Sequence, residues 1–205
     1  MLTIINYGIG NLNSVANMIR HVGGKCRISN SVEEIANAEK LILPGVGAFG
    51  RGMEALNASG ITEALSIAVL KRGVPILGIC LGMQLMTKGS EEGQLPGLGW
   101  LDAEVVKFRF PEGSLLKIPH MGWNTLSIQR ENPLIRLEER QRFYFVHSYH
   151  VVCENKRDIT ATCDYGYDFV AAFAHNNIFG AQFHPEKSHR FGMAVMRNFL
   201  EMKSC

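Results

Sequence analysis

The chain has 205 residues, of which 46% are hydrophobic and 20% charged, with a formal net charge of +2. That is enough chain for one substantial domain with a real core, at about 100–200 residues per domain. It carries too little positive charge to grip nucleic acid, and it has no apolar run near the roughly 20 residues a membrane span needs.

The opening residues 1–6, with "LTIIN", lack a basic leader and read as a first strand and not as a signal peptide. "NLNSVANMIRHVGG" predicts a helix with Leu12, Val15, Ile19 and Val22 on one face and a glycine stop. "KCRIS" reads as a strand, and "KLILPG" as a fully apolar strand ended by Pro44-Gly45. "ITEALSIAVLKRG" is an amphipathic helix closed by Gly73, "VPILGIC" a buried strand and "LGMQLMTKG" a short helix. Alternation of this kind predicts an α/β fold with a central, largely parallel sheet flanked by helices. After Gly89, "WLDAEVVKFRF", "LLKIPHMGWNTLSI", "RFYFVHSYHVV", "DITATC", "FVAAFAH" and "IFGAQF" are β-rich runs broken by turn residues, which predict antiparallel additions to the sheet. "FGMAVMRNFLEM" is a closing helix. With no repeat, low-complexity segment or linker, residues 1–205 read as a single domain. The stretch 136–142 is broken by Glu138 and Glu139 and reads as solvated surface. Five scattered cysteines (Cys26, Cys80, Cys153, Cys163, Cys205) include no CxxC pair, which favours a reducing compartment, with cytoplasm as the expected location.

One cysteine stands apart. In "GICLGMQ", Cys80 lies between Gly78 and Gly82, after a buried strand and before a helix. This is a nucleophile-elbow pattern with cysteine in place of serine. Flanking glycines permit the sharp turn, the helix start favours negative charge on sulfur, and the Leu81 N–H is placed to stabilise an oxyanion. The other four cysteines read as small core residues. Near the C-terminus, "GAQFHPEKSHR" puts His184 at a strand end with Glu186 two residues on. Such an imidazole can take the thiol proton and later give it to a leaving amine, and the carboxylate can orient it. The order Cys, His, Glu disfavours an α/β-hydrolase, whose acid precedes its histidine. "LPGVGAFG" places Pro44-Gly45-Val46-Gly47 after a strand, where a glycine-rich loop with exposed backbone N–H groups can complete an oxyanion hole or be an ordinary tight turn.

These three pieces, in this order, resemble a class I, triad-type glutamine amidotransferase across essentially the whole chain. "NYGIGNLNSV", "GVGAFGRGM", "PHMGWN", "FYFVHSY" and "RNFL" further resemble the glutaminase subunits of imidazole glycerol phosphate synthase, "PHMGWN" being the most discriminating. The resemblance implies that Cys80, His184 and Glu186 are catalytic, that Val46 and Leu81 form the oxyanion hole, and that Gly47, Gln84, Ser148 and Tyr149 bind glutamine. It also implies a partner: ammonia passes to a (β/α)8-barrel cyclase subunit in a heterodimer, for histidine and purine synthesis. Asn11, His120, Met121, Trp123, Tyr144 and Lys187 fall at that interface by the same resemblance. No metal or organic cofactor is implied.

Other readings compete. "YGIGN" has a GxG without the third glycine of a dinucleotide fingerprint, Asn13 standing there instead. His120 and Trp123 could be core residues under a sheet. His147 and His150 lie on opposite faces of a strand and make no natural metal pair, while His21, His175 and His189 read as structural or surface residues. A stand-alone cysteine hydrolase and a non-catalytic scaffold are rival functions. A nearer rival is a paralogous glutaminase that supplies ammonia for amidino sugars of surface polysaccharide. Asn6, where "DYGMGN" is expected, and "KSHRFGM" after the triad keep it open, because both lie where an acceptor subunit would be read.

Overall fold

A computed structural model describes residues 1–136 and 141–202; Glu138, Glu139 and Cys205 lie outside the described residues. Strands β1 (Leu2–Ile5), β2 (Cys26–Ser29), β3 (Lys40–Gly45) and β4 (Ile76–Cys80) alternate with helices α1 (Leu12–His21), α2 (Val32–Ala36), α3 (Phe49–Ala58) and α4 (Thr62–Ser66). Helix α5 (Leu81–Leu85) follows β4 without a break. Then come β5 (Gly89–Ser90), β6 (Ala103–Lys107), β7 (His120–Thr125), β8 (Ser127–Ile128), β9 (Arg142–His147), β10 (Tyr149–Cys153), β11 (Ile159–Asp164), β12 (Asp168–His175), β13 (Ile178–Ala181) and α6 (His189–Glu201).

The main sheet runs β2-β1-β3-β4-β13-β12-β10-β6-β5, with β11 and β8 joined beside β12. Its β2-to-β13 half is parallel, and the pairings from β13 through β12 and β10 to β6 are antiparallel. The expected α/β architecture with antiparallel additions is the observed one. Both faces are covered at the centre of the parallel half, so β4 and β13 are apolar throughout, while β1 carries Thr3 and the edge strand β2 carries Arg27 and Ser29. Leu41 and Leu43 point into one core with Phe49, Leu65 and Met83, while Ile42 between them points into the other with Ile19, Val195 and Phe199. The predicted stripe of α1 packs there, with Val15, Ala16 and Ile19 buried. Cys153 and Cys163 are buried as expected, and Cys26 is half-buried.

Four local expectations change. Helices α2 and α3 form outside the helices the sequence predicts; Ser31 caps α2 by accepting the Glu34 N–H, and the Glu92 side chain accepts the Phe49 N–H that opens α3. The helix begun by α4 continues as a π-helical turn over Ile67–Lys71. "LLKIPHMGWNTLSI" becomes strand only from His120. "RFYFVHSYHVV" is two strands divided at Ser148: β10 stays in the main sheet, while β9 pairs with β7 in a separate two-stranded ribbon. The ribbon lies against the turn after β13, because the His184 N–H donates to the Tyr144 carbonyl at 2.9 Å. Among the described residues, no helix is long and apolar enough to cross a membrane.

Candidate active site

The register of β4 with its neighbours brings the distant pieces of the site to one end of the sheet. Gly45 pairs with Cys80 across β3 and β4, and Ala181 pairs with Ile79 across β13 and β4, so the chain after β13 reaches His184 beside the end of β4. At the junction of β4 and α5, Cys80 has φ 52° and ψ −110°. A non-glycine residue held there stores strain of about 1–3 kcal/mol, a cost that persists where surrounding structure fixes it. The surroundings do so. A Cβ on Gly82 would fall within the Leu43 carbonyl, and one on Gly78 would lie 2.7 Å from the Met83 nitrogen. Only glycine lets the elbow fold onto β3.

His184 is 1% exposed, and its Nδ1 contacts Glu186 Oε1 at 2.8 Å, with the Glu186 side chain 2% exposed. Burial alone would lower the imidazole pKa; the Cys80 sulfur in its anionic form and the Glu186 carboxylate outweigh it and raise it to about 10. His184 Nε2 has no hydrogen-bond partner among the described residues, so its approach to the thiol is looser than a formed hydrogen bond. Contacts of this kind tighten when substrate binds. Glu186 Oε2 is likewise buried without a partner.

Cys80, Leu81, Gln84, Val46, Gly47, Ser148, Tyr149 and His184 all line one cavity of about 410 Å³, together with Glu92, Pro119 and His147. Such a volume falls within the usual range for small-ligand sites. Every residue expected at the oxyanion and glutamine positions therefore converges on the candidate nucleophile. Leu81 opens α5, where backbone N–H groups have no partner within the helix. Gly47, at φ 102°, adopts a backbone conformation that favours glycine. The preceding loop is supported by Tyr7, whose buried hydroxyl donates to the Pro44 carbonyl at 2.9 Å and whose pKa is raised, first by burial and then by Cys80. "NYGIGN" thus does structural service beneath the glycine-rich loop.

Several site residues carried no readable sequence signal. Gln182 is fully buried, and its amide Nε2 donates to Cys80 Sγ at 3.6 Å. Ser188 is fully buried; its hydroxyl donates to the His184 carbonyl at 2.6 Å and accepts the Tyr144 N–H at 3.0 Å. Glu92 reaches the cavity through a turn far from the motifs.

Of the residues expected at a partner face, Met121 is 62% exposed and Trp123 37%. Trp123 faces Tyr144 across the ribbon, and Lys187 Nζ lies 5.5 Å from the Tyr144 ring centroid. Asn11 is exposed just ahead of α1. His120 differs: it is 3% exposed and points inward, stacked 4.0 Å from Tyr165, with Nδ1 3.1 Å from His147 Nε2. Alternation along β7 explains this, since Met121 and Trp123 share one face and His120 the other. Its side chain offers a partner little surface. His189, read as a structural or surface residue, is exposed and stacks on Trp123 with 5.2 Å between centroids and 3° between planes.

Burial lowers the His120 pKa to about 4 and that of His147 to about 3. The pair is therefore neutral at physiological pH, and His147 Nδ1–H donates to the Tyr149 carbonyl at 2.8 Å.

Residues 3–202 match the family model "Glutamine amidotransferase class-I". The chain belongs to the class-I glutamine amidotransferases. It is 50% identical over 203 residues to imidazole glycerol phosphate synthase subunit HisH 2 of Pseudomonas aeruginosa, covering 98% of this chain and all of that one. It is 50% identical over 202 residues to the HisH 2 of Methanococcus maripaludis, covering 98% and 99%. Against the HisH of Leptospira interrogans it is 44% identical over 204 residues, covering 98% and 100%. Among solved structures, PurLQS from Thermotoga maritima has a TM-score of 0.76 at 19% identity, over 97% of this chain and 96% of that one, a likeness of fold.

Proposed function

We propose that this chain is the glutaminase subunit of an imidazole glycerol phosphate synthase, a single cytoplasmic domain spanning residues 1–205. One observation carries the proposal: Cys80, held in an elbow, meets a buried His184–Glu186 pair at a cavity lined by all the expected glutamine-site residues. In this reading Cys80 attacks the side-chain amide carbon of glutamine. The tetrahedral oxyanion is held by the Leu81 N–H and the backbone at Val46. His184, held by Glu186, protonates the departing ammonia, and water activated by the same imidazole cleaves the thioester to glutamate. No metal or organic cofactor takes part.

Gln84 binds with a defined polarity. Both of its N–H donors are used, one on the Tyr149 carbonyl and one on Gln182 Oε1, at 3.1 and 3.0 Å. Only its Oε1 remains for the substrate, and an acceptor suits the N–H groups of glutamine. Gly47, Ser148 and Tyr149 complete the glutamine site. The ammonia passes to a (β/α)8-barrel cyclase in a heterodimer, docked over Met121, Trp123, Tyr144, Lys187 and Asn11. Relatives that are 44–50% identical over nearly their full lengths are named as subunits of that synthase, which supports this acceptor over sugar amidination.

Trp123, Arg142, His189, Arg190 and Phe191 line a surface depression that includes the segment departing from the family pattern, and nothing in its lining favours a different acceptor. The test is a pull-down of the partner, followed by a glutamine-dependent assay of the pair with the histidine-pathway ribonucleotide. Imidazole glycerol phosphate is the expected product. Its absence, with an amidinated sugar formed instead, would assign the chain to the polysaccharide paralogue.

A further inference from the structure

We propose that Gln182 is a positioning residue for the nucleophile, aiming an amide N–H at the Cys80 sulfur through a chain of hydrogen bonds with one fixed direction. The chain starts at the Tyr149 carbonyl, which can only accept. Gln84 Nε2 donates to that carbonyl at 3.1 Å and to Gln182 Oε1 at 3.0 Å. Because both Gln84 donors are on that one nitrogen, the Gln182 atom facing it must be the oxygen. The other end of the Gln182 amide is therefore Nε2, and it faces Cys80 Sγ at 3.6 Å, within reach for a sulfur acceptor. Flipping the Gln182 amide would put two N–H groups face to face in the core.

Burial makes the arrangement rigid. Gln182 is fully buried and Gln84 is 4% exposed, so neither amide can exchange its partners for water. The Gln182 backbone is tied to the neighbouring strand β12 by its N–H to the Ala171 carbonyl at 2.9 Å. Two residues further on, the same segment delivers His184. One short stretch of chain thus positions the sulfur from one side with Gln182 and faces it from another with His184. A hydrogen bond to sulfur strengthens as the sulfur becomes an anion, so the Gln182 N–H favours the attacking form and holds it at the rim of the cavity. The elbow alone fixes the Cys80 backbone; Gln182 fixes where its side chain points.

This inference rests on the glutaminase reading, and its test separates the two. Gln182→Met keeps nearly the same volume and removes the donor. Two rates are measured on the full chain with its synthase partner: glutamine hydrolysis, and alkylation of Cys80 by iodoacetamide without glutamine, with the modified peptide located by mass spectrometry. Ammonia-dependent synthesis by the same complex verifies that the variant is folded and docked. The expected result is a kcat lower by roughly 10-fold or more with KM within about 2-fold, and slower alkylation, at unchanged ammonia-dependent synthesis. Wild-type kcat and alkylation in Gln182→Met would overturn the proposal, leaving Gln182 as packing. A raised KM at unchanged kcat would overturn it too, since Gln182 would then act on glutamine through Gln84. If the wild-type complex alkylates at Cys80 yet releases no glutamate from glutamine, the glutaminase reading fails by itself. Should Gln182→Met lose ammonia-dependent synthesis, Gln182→Leu is put through the same measurements, with the same outcomes deciding.

Discussion

Replacing Ser188 by alanine would cut the tie between the turn that carries His184 and the ribbon above the cavity. The Ser188 hydroxyl bridges the Tyr144 N–H and the His184 carbonyl, while the His184 N–H donates to the Tyr144 carbonyl. The three bonds form a closed clamp. Alanine removes two of them. The His184 carbonyl keeps one donor, the Lys187 N–H at 3.0 Å, but the Tyr144 N–H, facing away from β7, is left with none. Two lost bonds at about 1 kcal/mol each, with a further fraction for the orphaned donor, give a destabilisation of about 2–3 kcal/mol. For a chain of this length that lowers Tm by about 5–10 °C. Urea denaturation should show the loss as a lower midpoint at unchanged slope. Because the clamp holds His184 and not the glutamine pocket, glutaminase kcat should fall further than KM rises. A change below about 0.5 kcal/mol, the usual size for an uninvolved surface substitution, would refute the reasoning.

Other outcomes follow from the same geometry. Gly82→Ala should prevent a native elbow, because the added methyl would overlap the Leu43 carbonyl; loss of soluble protein or of the near-ultraviolet dichroism checks this, and Gly50→Ala in α3, where a Cβ meets only Gly93 Cα at 3.9 Å, is the tolerated control. By 15N NMR at pH 7, His184 should be protonated while His120 and His147 are neutral, following their pKa values of about 10, 4 and 3. The linkage signs are opposite. The neutral pair's contribution is complete above about pH 6.5 and is lost as pH falls toward 4 and 3, whereas that of His184 is complete below about 6.5 and is lost as pH rises toward 10. Titration of His120 and His147 near 6.5 would contradict their burial. Trp123→Ala should weaken binding of the cyclase by more than about 10-fold without changing the free chain's thermal stability much, as measured by calorimetry; equal affinity would remove Trp123 from the docking face.

The parts of the site legible in the sequence are those made within one turn. Gly78, Cys80 and Gly82 form the elbow between neighbours, and His184 and Glu186 meet across two residues, so pattern and geometry coincide. Gln182, Ser188 and Tyr7 were not legible, because their partners lie 102, 44 and 37 residues away and only sheet register brings them together. The break at Ser148 was hidden for a related reason. Phe143, Phe145 and His147 alternate inward along β9, then His150, Val151 and Cys153 turn inward along β10. The β-rich run "RFYFVHSYHVV" reads as continuous, while the face it buries changes as the chain moves from ribbon to sheet. His120 was misplaced because the recognisable segment "PHMGWN" spans both faces of β7, and a motif does not say which of its residues point outward.

The most direct test of the central claim is to quench the chain and its cyclase partner with acid during glutamine turnover and map the peptides by mass spectrometry. The account predicts a glutamyl thioester on the Cys80 peptide, with no adduct and no glutamate release in Cys80→Ala, while that variant still supports synthesis from ammonia. Undiminished glutamine hydrolysis by Cys80→Ala, or a glutamyl adduct on a different residue, would contradict it.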